Sequence, residues 1–86
     1  MIPDTPTEAE IAQHFSAMDD SVNLIAAVVE DDTSFVDRDG ADEVKIMVTR
    51  NTDHLEIQAA KDWYSDSSNS KTSYDNAVTI GKAYVA

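Results

Sequence analysis

Apolar residues recur at helical spacing near the start of the chain. They form one stripe, which consists of Ile11, Phe15 and Met18. Ahead of the stripe, Thr5 can act as an N-cap, Pro6 suits the first helical position, and Glu8 stands three residues after the cap. This arrangement predicts a helix that begins at Thr5 and continues through Asp19.

The next segment, from Val22 to Glu30, is almost continuously apolar. Periodicity cannot distinguish a buried helix from a buried strand in a run this short. Its two alanines, and the polar residues Asp20 and Ser21 that can cap its beginning, favour a second helix that is separate from the first. A buried strand stays open as the alternative.

Residues 30–40 form an acidic stretch that we interpret as a connection. Its two large apolar residues, Phe35 and Val36, are expected to pack beneath it. Asp39, followed three residues later by Asp42, is a start signal for the next helix.

Residues 41–64 fit two different structures. Apolar and polar positions alternate in two runs on either side of the polar residues 51–53, which is the pattern of a β-hairpin. The alternating apolar positions are Val44, Ile46 and Val48, then Leu55, Ile57 and Ala59. The same segment also has an apolar stripe at helical spacing, formed by Val44, Val48, Leu55, Ala59 and Trp63. The local pattern leaves this choice open.

The end of the chain predicts a polar loop and one more helix. Residues 65–71 are polar and low in complexity, as in a mobile loop. Thr72, with Asp75 three residues later, is a capping signal for the last helix. Gly81 weakens that helix by about 1 kcal/mol relative to alanine. The apolar end of the chain, from Tyr84 onward, is expected to dock onto the core or onto a neighbouring molecule.

Length and composition limit the class of protein. The chain has 86 residues, the size of one domain, and contains no cysteine, so neither a disulfide nor a thiolate metal site can form. It has no apolar run of membrane-spanning length, and acidic residues stand where a secretory signal would be basic. We therefore expect a single acidic domain, residues 1–86, that folds in water.

The net charge of −11 is concentrated in the first half of the chain. Residues 19–43 contain nine acidic residues and one basic residue, whereas residues 44–86 contain five of each. An acidic surface repels phosphate, which disfavours direct binding of nucleic acid or of an anionic membrane. The acidic residues of the first half form either a solvated surface or a docking face for a basic partner. The candidate docking residues are Asp31, Asp32, Asp37 and Asp39.

The sequence contains no arrangement typical of a catalytic or metal site. The acidic run that ends at Gly40 resembles part of a calcium loop. With Gly40 at the sixth position, however, the first and twelfth ligands would be Phe35 and Ile46, which cannot bind calcium. The two histidines, His14 and His54, belong to no Ser-His-Asp spacing and to no glycine-rich phosphate loop. We therefore expect no catalytic residue, no metal and no cofactor.

Trp63 and Tyr64 are adjacent aromatic residues just before the polar loop. In one interpretation Trp63 completes the core and Tyr64 shields it. In the other, the pair anchors an interface, because Trp and Tyr are enriched at binding hot spots. We take both, together with Tyr84, as candidate partner-binding residues.

The second half of the chain resembles a group of phage proteins. The resemblance rests on residues 50–64, which begin with the block R-N-x-x-H-L-E-I, on Tyr74 after a short polar loop, and on the G-K-A-Y of residues 81–84. Over about residues 20–86 the chain is similar to small uncharacterised proteins of tailed bacteriophages, including marine and cyanobacterial phages. The resemblance implies a phage setting and one long helix through the block, and it implies no particular activity.

We therefore predict an all-α domain of about four helices, with an α+β fold that has a hairpin at 44–60 packed on helices as the alternative. The expected function is non-enzymatic protein–protein binding by a phage accessory protein, as a minor virion component such as a capsid-decoration, neck or tail protein. The alternative function is an acidic inhibitor, or DNA mimic, that binds a host protein. The partners would be phage structural proteins or a host protein, self-association stays open, and the location would be the virion or the host cytoplasm during infection.

Overall fold

The computed structural model describes residues 6–86, and these residues form five helices. The helices are α1 (Glu8–Glu30), α2 (Thr33–Asp39), α3 (Ala41–Ala59), α4 (Asp62–Asp66) and α5 (Thr72–Val85). No strand occurs within residues 6–86, so the predicted all-α fold is confirmed and the alternative with a hairpin at 44–60 is wrong. The structure has five helices instead of the predicted four. Two predicted helices merge into α1, and two short helices, α2 and α4, are added.

α1 begins at a capping box. The Thr7 side chain accepts a hydrogen bond from the Glu10 backbone N–H at 3.2 Å, and the Glu10 carboxylate accepts one from the Thr7 backbone N–H, also at 3.2 Å. The predicted cap, Thr5, lies outside the described residues. Thr7 takes the capping role because Glu10 follows it by three residues, the spacing at which cap and acid satisfy each other's backbone donors.

α1 continues without interruption through residues 19–21, so the predicted separate helix from Val22 is part of the same helix. The apolar stripe explains this, since Val22 follows Met18 by four residues and Ile25 follows Val22 by three. Ser21 caps no helix. It is buried and points at α3, where its hydroxyl donates to Asn51 Oδ1 at 2.9 Å.

The acidic connection contains the short helix α2. Phe35 and Val36 are half-buried against the core, as predicted. Asp39 does not cap α3, because its carboxylate pairs with the Arg38 guanidinium at 2.8 Å and the N-cap position is held by Gly40. Gly40 has φ 89°, a backbone conformation that favours glycine, and this lets the chain turn between the two helices.

The block of residues 50–64 is not one helix, because α3 ends at Ala59 and α4 begins at Asp62. The last turn of α3 tightens: the Ala60 and Lys61 backbone N–H groups donate to carbonyls three residues earlier, at 3.3 and 3.0 Å. Such bonds satisfy carbonyls that the helix end would leave unpaired. The chain then turns back toward α1 as α4.

The polar loop is shorter than predicted, because α4 extends to Asp66 and leaves residues 67–71 as the connection. Thr72 is the first residue of α5, and Lys71 rather than Thr72 occupies the N-cap position. At the other end of α5, Tyr84 and Val85 pack against the core, as the sequence predicts for the apolar end of the chain.

α1, α3 and α5 form an elongated three-helix bundle that measures 47 × 26 × 19 Å over the described residues. α5 runs parallel to α1, because Tyr74 in its first turn bonds Asp19 and Tyr84 in its last turn bonds Asp32. α3 runs antiparallel to both. The core between the helices consists of Phe15, Met18, Ile25, Val28, Val44, Val48, Leu55, Tyr64, Tyr74 and Ala77. None of the helices described here is long and apolar enough to span a bilayer.

Candidate functional site

Four aromatic side chains meet at one end of the bundle, around Phe15 of α1. The Phe15 ring centroid lies 5.3 Å from that of Trp63, 5.9 Å from that of Tyr64 and 5.7 Å from that of Tyr74. α4 makes this possible, because its single turn presents two consecutive aromatic residues to α1. We call Phe15, Trp63, Tyr64 and Tyr74 the aromatic cluster. It attaches α4 and the beginning of α5 to the bundle.

In the core interpretation Trp63 would be buried and Tyr64 would cover it. The structure shows the reverse. Tyr64 is 5% exposed and belongs to the core, so it has little surface to offer a partner. Trp63 is half-buried at the edge of the cluster. Its indole stacks on the His14 imidazole, with ring centroids 4.9 Å apart and an interplanar angle of 16°. The partly exposed aromatic side chain at this end is therefore Trp63, held in one orientation by two rings of α1.

Trp63 forms part of the wall of a cleft of about 650 Å³ that is open to solvent. The cleft lies between the first half of α1, α4 and the loop of residues 67–71. Its apolar surface comes from Ile11, Ala12, Phe15 and Trp63, and its polar wall from Ser16 and residues 67–69. Three carboxylates complete the lining, those of Glu8, Asp19 and Asp66, and no lysine or arginine of the described residues contributes to it.

Asp19 is fixed in the cleft wall by a hydrogen bond. The Tyr74 hydroxyl donates to Asp19 Oδ1 at 2.7 Å. Burial, with this hydrogen bond and the charge of Asp19, raises the pKa of Tyr74 to about 12. The bond leaves the second carboxylate oxygen of Asp19 able to accept from another group.

The loop that forms the polar wall is held by Lys71. Its ammonium group donates to the Ser67 carbonyl oxygen at 2.8 Å and to the Asn69 carbonyl oxygen at 3.3 Å, and it lies 5.5 Å from the centroid of the Tyr64 ring. The Ser67 hydroxyl also accepts from the Asn69 backbone N–H at 3.1 Å. The loop is therefore closed on itself and tied to the aromatic cluster.

The predicted acidic docking residues lie at the opposite end of α1. Asp32 follows Phe15 by 17 residues, which corresponds to about 25 Å along a helix. Tyr84, the third aromatic candidate, is at this end too: its hydroxyl donates to Asp32 Oδ2 at 2.9 Å, and burial together with this carboxylate raises the pKa of Tyr84. The structure thus separates the candidate partner-binding residues into two groups.

Three of the four predicted docking carboxylates make local contacts. Asp31 Oδ1 accepts from the Thr33 backbone N–H at 3.1 Å, which satisfies a donor at the start of α2. Asp32 holds Tyr84, and Asp39 pairs with Arg38. Asp37 is exposed. These contacts favour the interpretation of the acidic stretch as a solvated surface and as a set of local hydrogen-bond acceptors.

A Ser-His-Asn cluster that the sequence did not reveal connects α1 to α3. Ser21 Oγ lies 2.9 Å from Asn51 Oδ1 and 3.0 Å from His54 Nδ1, and Asn51 Nδ2 donates to the Met47 carbonyl oxygen at 2.8 Å. Since the single hydroxyl hydrogen of Ser21 goes to Asn51, His54 donates to Ser21 from Nδ1. Ser21 is 4% exposed, so its oxygen is inaccessible to a substrate and the cluster acts as a polar cross-link.

Within residues 6–86, no group of three or more histidine or acidic side chains is close enough to hold a metal ion. This holds for the three cleft carboxylates as well. Comparison of the chain with known protein families, with curated proteins and with solved structures finds no match. The open cleft at the aromatic end combines an aromatic wall with three carboxylates.

Proposed function

We propose that this chain is a non-enzymatic accessory protein of a tailed bacteriophage and that it acts by binding another protein, as a minor component of the virion. The observation that carries the proposal is the half-buried Trp63 in the wall of the open cleft. Tryptophan is enriched among the residues that dominate binding energy at protein interfaces. Because His14 and Phe15 already hold the indole, a partner that contacts it orders little additional side chain.

Binding is favoured over catalysis because the polar groups near the cleft serve the fold. Asp19 accepts from Tyr74, and His14 stacks on Trp63. General acid–base chemistry needs titratable groups that converge on the substrate, and the three cleft carboxylates do not form a close group. The phage setting of the proposal comes from the resemblance of residues 50–64 and 81–84.

The proposal is tested on particles purified from bacteria infected by the phage that encodes this chain. Mass spectrometry should find the wild-type chain in the particles at a constant ratio to the capsid protein. Trp63→Ala should lose this association. Ile57→Ala is the matched control, because Ile57 is 58% exposed on the outer side of α3 and away from the cleft, and it should be incorporated like the wild type.

Two results would contradict the proposal. One is equal incorporation of the Trp63→Ala chain and the wild-type chain, when thermal melts show that both proteins unfold cooperatively. The other is recovery of the chain from the host cytoplasm only, in complex with a host protein, which would favour the acidic inhibitor instead.

A further inference from the structure

We infer that the cleft beside Trp63 binds an arginine side chain of the partner protein. This inference rests on the proposed function, because it names the chemistry of the partner at the same site. It follows from three properties of the cleft: the sign of its charge, its aromatic wall and its size.

The charge of the cleft selects a cation. Glu8, Asp19 and Asp66 line it, and the described basic side chains are absent from its lining. Lys71, the basic residue at the end of the loop, donates to two backbone carbonyls of the loop itself. Carboxylates beside apolar surface attract a cation more strongly than they would in bulk water, because the effective dielectric constant is lower there.

The aromatic wall selects a flat, weakly hydrated cation. A guanidinium group stacks on the face of an indole and keeps its N–H donors in the ring plane, where carboxylates can accept them. Trp63 supplies most of the exposed aromatic surface, because Phe15 is only 7% exposed, and Asp19 and Asp66 line the same cleft as acceptors. A lysine ammonium offers neither the stacking surface nor the fork of donors.

The cleft is large enough to hold a side chain. Its volume of about 650 Å³ lies within the range of about 300–1,000 Å³ that is typical of pockets for organic groups. Its three carboxylates do not form a group that could hold a metal ion. A guanidinium with five donors at the end of a long stem can reach separate carboxylates, and Ser68 and Asn69 add polar atoms along the wall.

The test is an NMR titration of the whole ¹⁵N-labelled chain with N-acetyl-arginine methylamide. The expected result is saturable shifts of the Trp63 indole N–H and of the backbone amides of residues 67–69. The matched probe is N-acetyl-citrulline methylamide, which has nearly the same shape without the charge and should give no saturable shift. The lysine analogue should bind more weakly than the arginine compound.

Two double variants make the test specific to the cleft. Glu8→Gln with Asp66→Asn should weaken arginine binding by about five-fold or more, in proportion to the loss of two charges. Glu30→Gln with Asp53→Asn removes the same number of charges from exposed positions outside the cleft lining and should leave the affinity unchanged. The dispersion of the spectra shows directly whether each variant is folded.

Equal shifts with citrulline, no shift with arginine, or equal weakening by both double variants would overturn the inference. The outcome is independent of the virion test. If Trp63→Ala abolishes incorporation while the arginine compound does not bind, the proposed function stands and the inference fails. If the arginine compound binds in the cleft and incorporation is indifferent to Trp63, the site is real and the proposed function fails.

Discussion

Gly81 of α5 lies directly against Thr52 of α3, so closely that a methyl group at position 81 would overlap the Thr52 hydroxyl oxygen. The same methyl group would lie 3.6 Å from Ile25 Cγ2 of α1, so the three long helices meet at this level. Thr52 is 3% exposed, and its hydroxyl donates to the Val48 carbonyl oxygen of its own helix at 2.7 Å. Gly81 therefore allows α5 to approach α3, a role that outweighs its low helix propensity.

Gly81→Ala should destabilise the protein. Alanine improves helix propensity by about 1 kcal/mol, but overpacking of a tight core typically lowers the free energy of unfolding by about 1–3 kcal/mol. We expect a net loss in urea-induced unfolding followed by circular dichroism. The double variant with Thr52→Ala should recover part of the loss, because it removes the overlapping hydroxyl. A more stable Gly81→Ala protein would show that α5 can move away freely.

Tyr64→Phe and Tyr74→Phe should change stability in opposite directions. The Tyr64 hydroxyl is buried without a hydrogen-bond partner among the described residues, so its removal should raise the free energy of unfolding, by about 1 kcal/mol. The Tyr74 hydroxyl bonds Asp19, so its removal should lower the free energy of unfolding by about 1 kcal/mol. Thermal melts of the two variants provide the comparison. Destabilisation by both would mean that the Tyr64 hydroxyl has a partner in solution.

Stability should fall at alkaline pH because of Tyr74. Its pKa is about 12 in the folded protein and about 10 in the unfolded chain, so the folded state holds this proton more tightly. The resulting stabilisation is fully present below pH 10 and is lost as the pH rises toward 12. Burial also raises the pKa of Tyr64, which acts in the same direction. Urea unfolding at pH 8 to 11 should show the decline, and Tyr74→Phe should make it shallower.

The sequence predicts local structure well where neighbouring residues decide it. The stripe from Ile11 to Met18 predicts the first half of α1, and the polar residues 65–71 predict a loop, of which residues 67–71 lie between helices. Tertiary contacts decide the rest: Ser21 could serve as a cap in isolation, but in the bundle it bonds His54, 33 residues away. Local pattern therefore could not exclude a break at that point.

The candidate site was only partly predictable for the same reason. Trp63 stands out in the sequence as an aromatic residue beside a loop, and it does line the cleft. Its acidic partners do not stand out, because Glu8, Asp19 and Asp66 come from three places in the chain and only the fold brings them to one cleft. Charge counted along the sequence instead pointed to the acidic end near Asp32.

Removal of residues 83–86 should lower the melting temperature by about 10 °C or more. Tyr84 and Val85 pack half-buried against the core, and burial of two such side chains contributes about 2–3 kcal/mol. In a domain of this size, each 1 kcal/mol corresponds to about 4–8 °C in melting temperature. Tyr84→Phe separates the contribution of ring packing from that of the hydrogen bond, because it keeps the ring and loses only the bond to Asp32. It should shift the melting temperature by a few degrees at most, in keeping with a net contribution of about 1 kcal/mol for the bond. If the truncated chain melts at the wild-type temperature, the packing of this end does not stabilise the bundle, whatever Tyr84→Phe does.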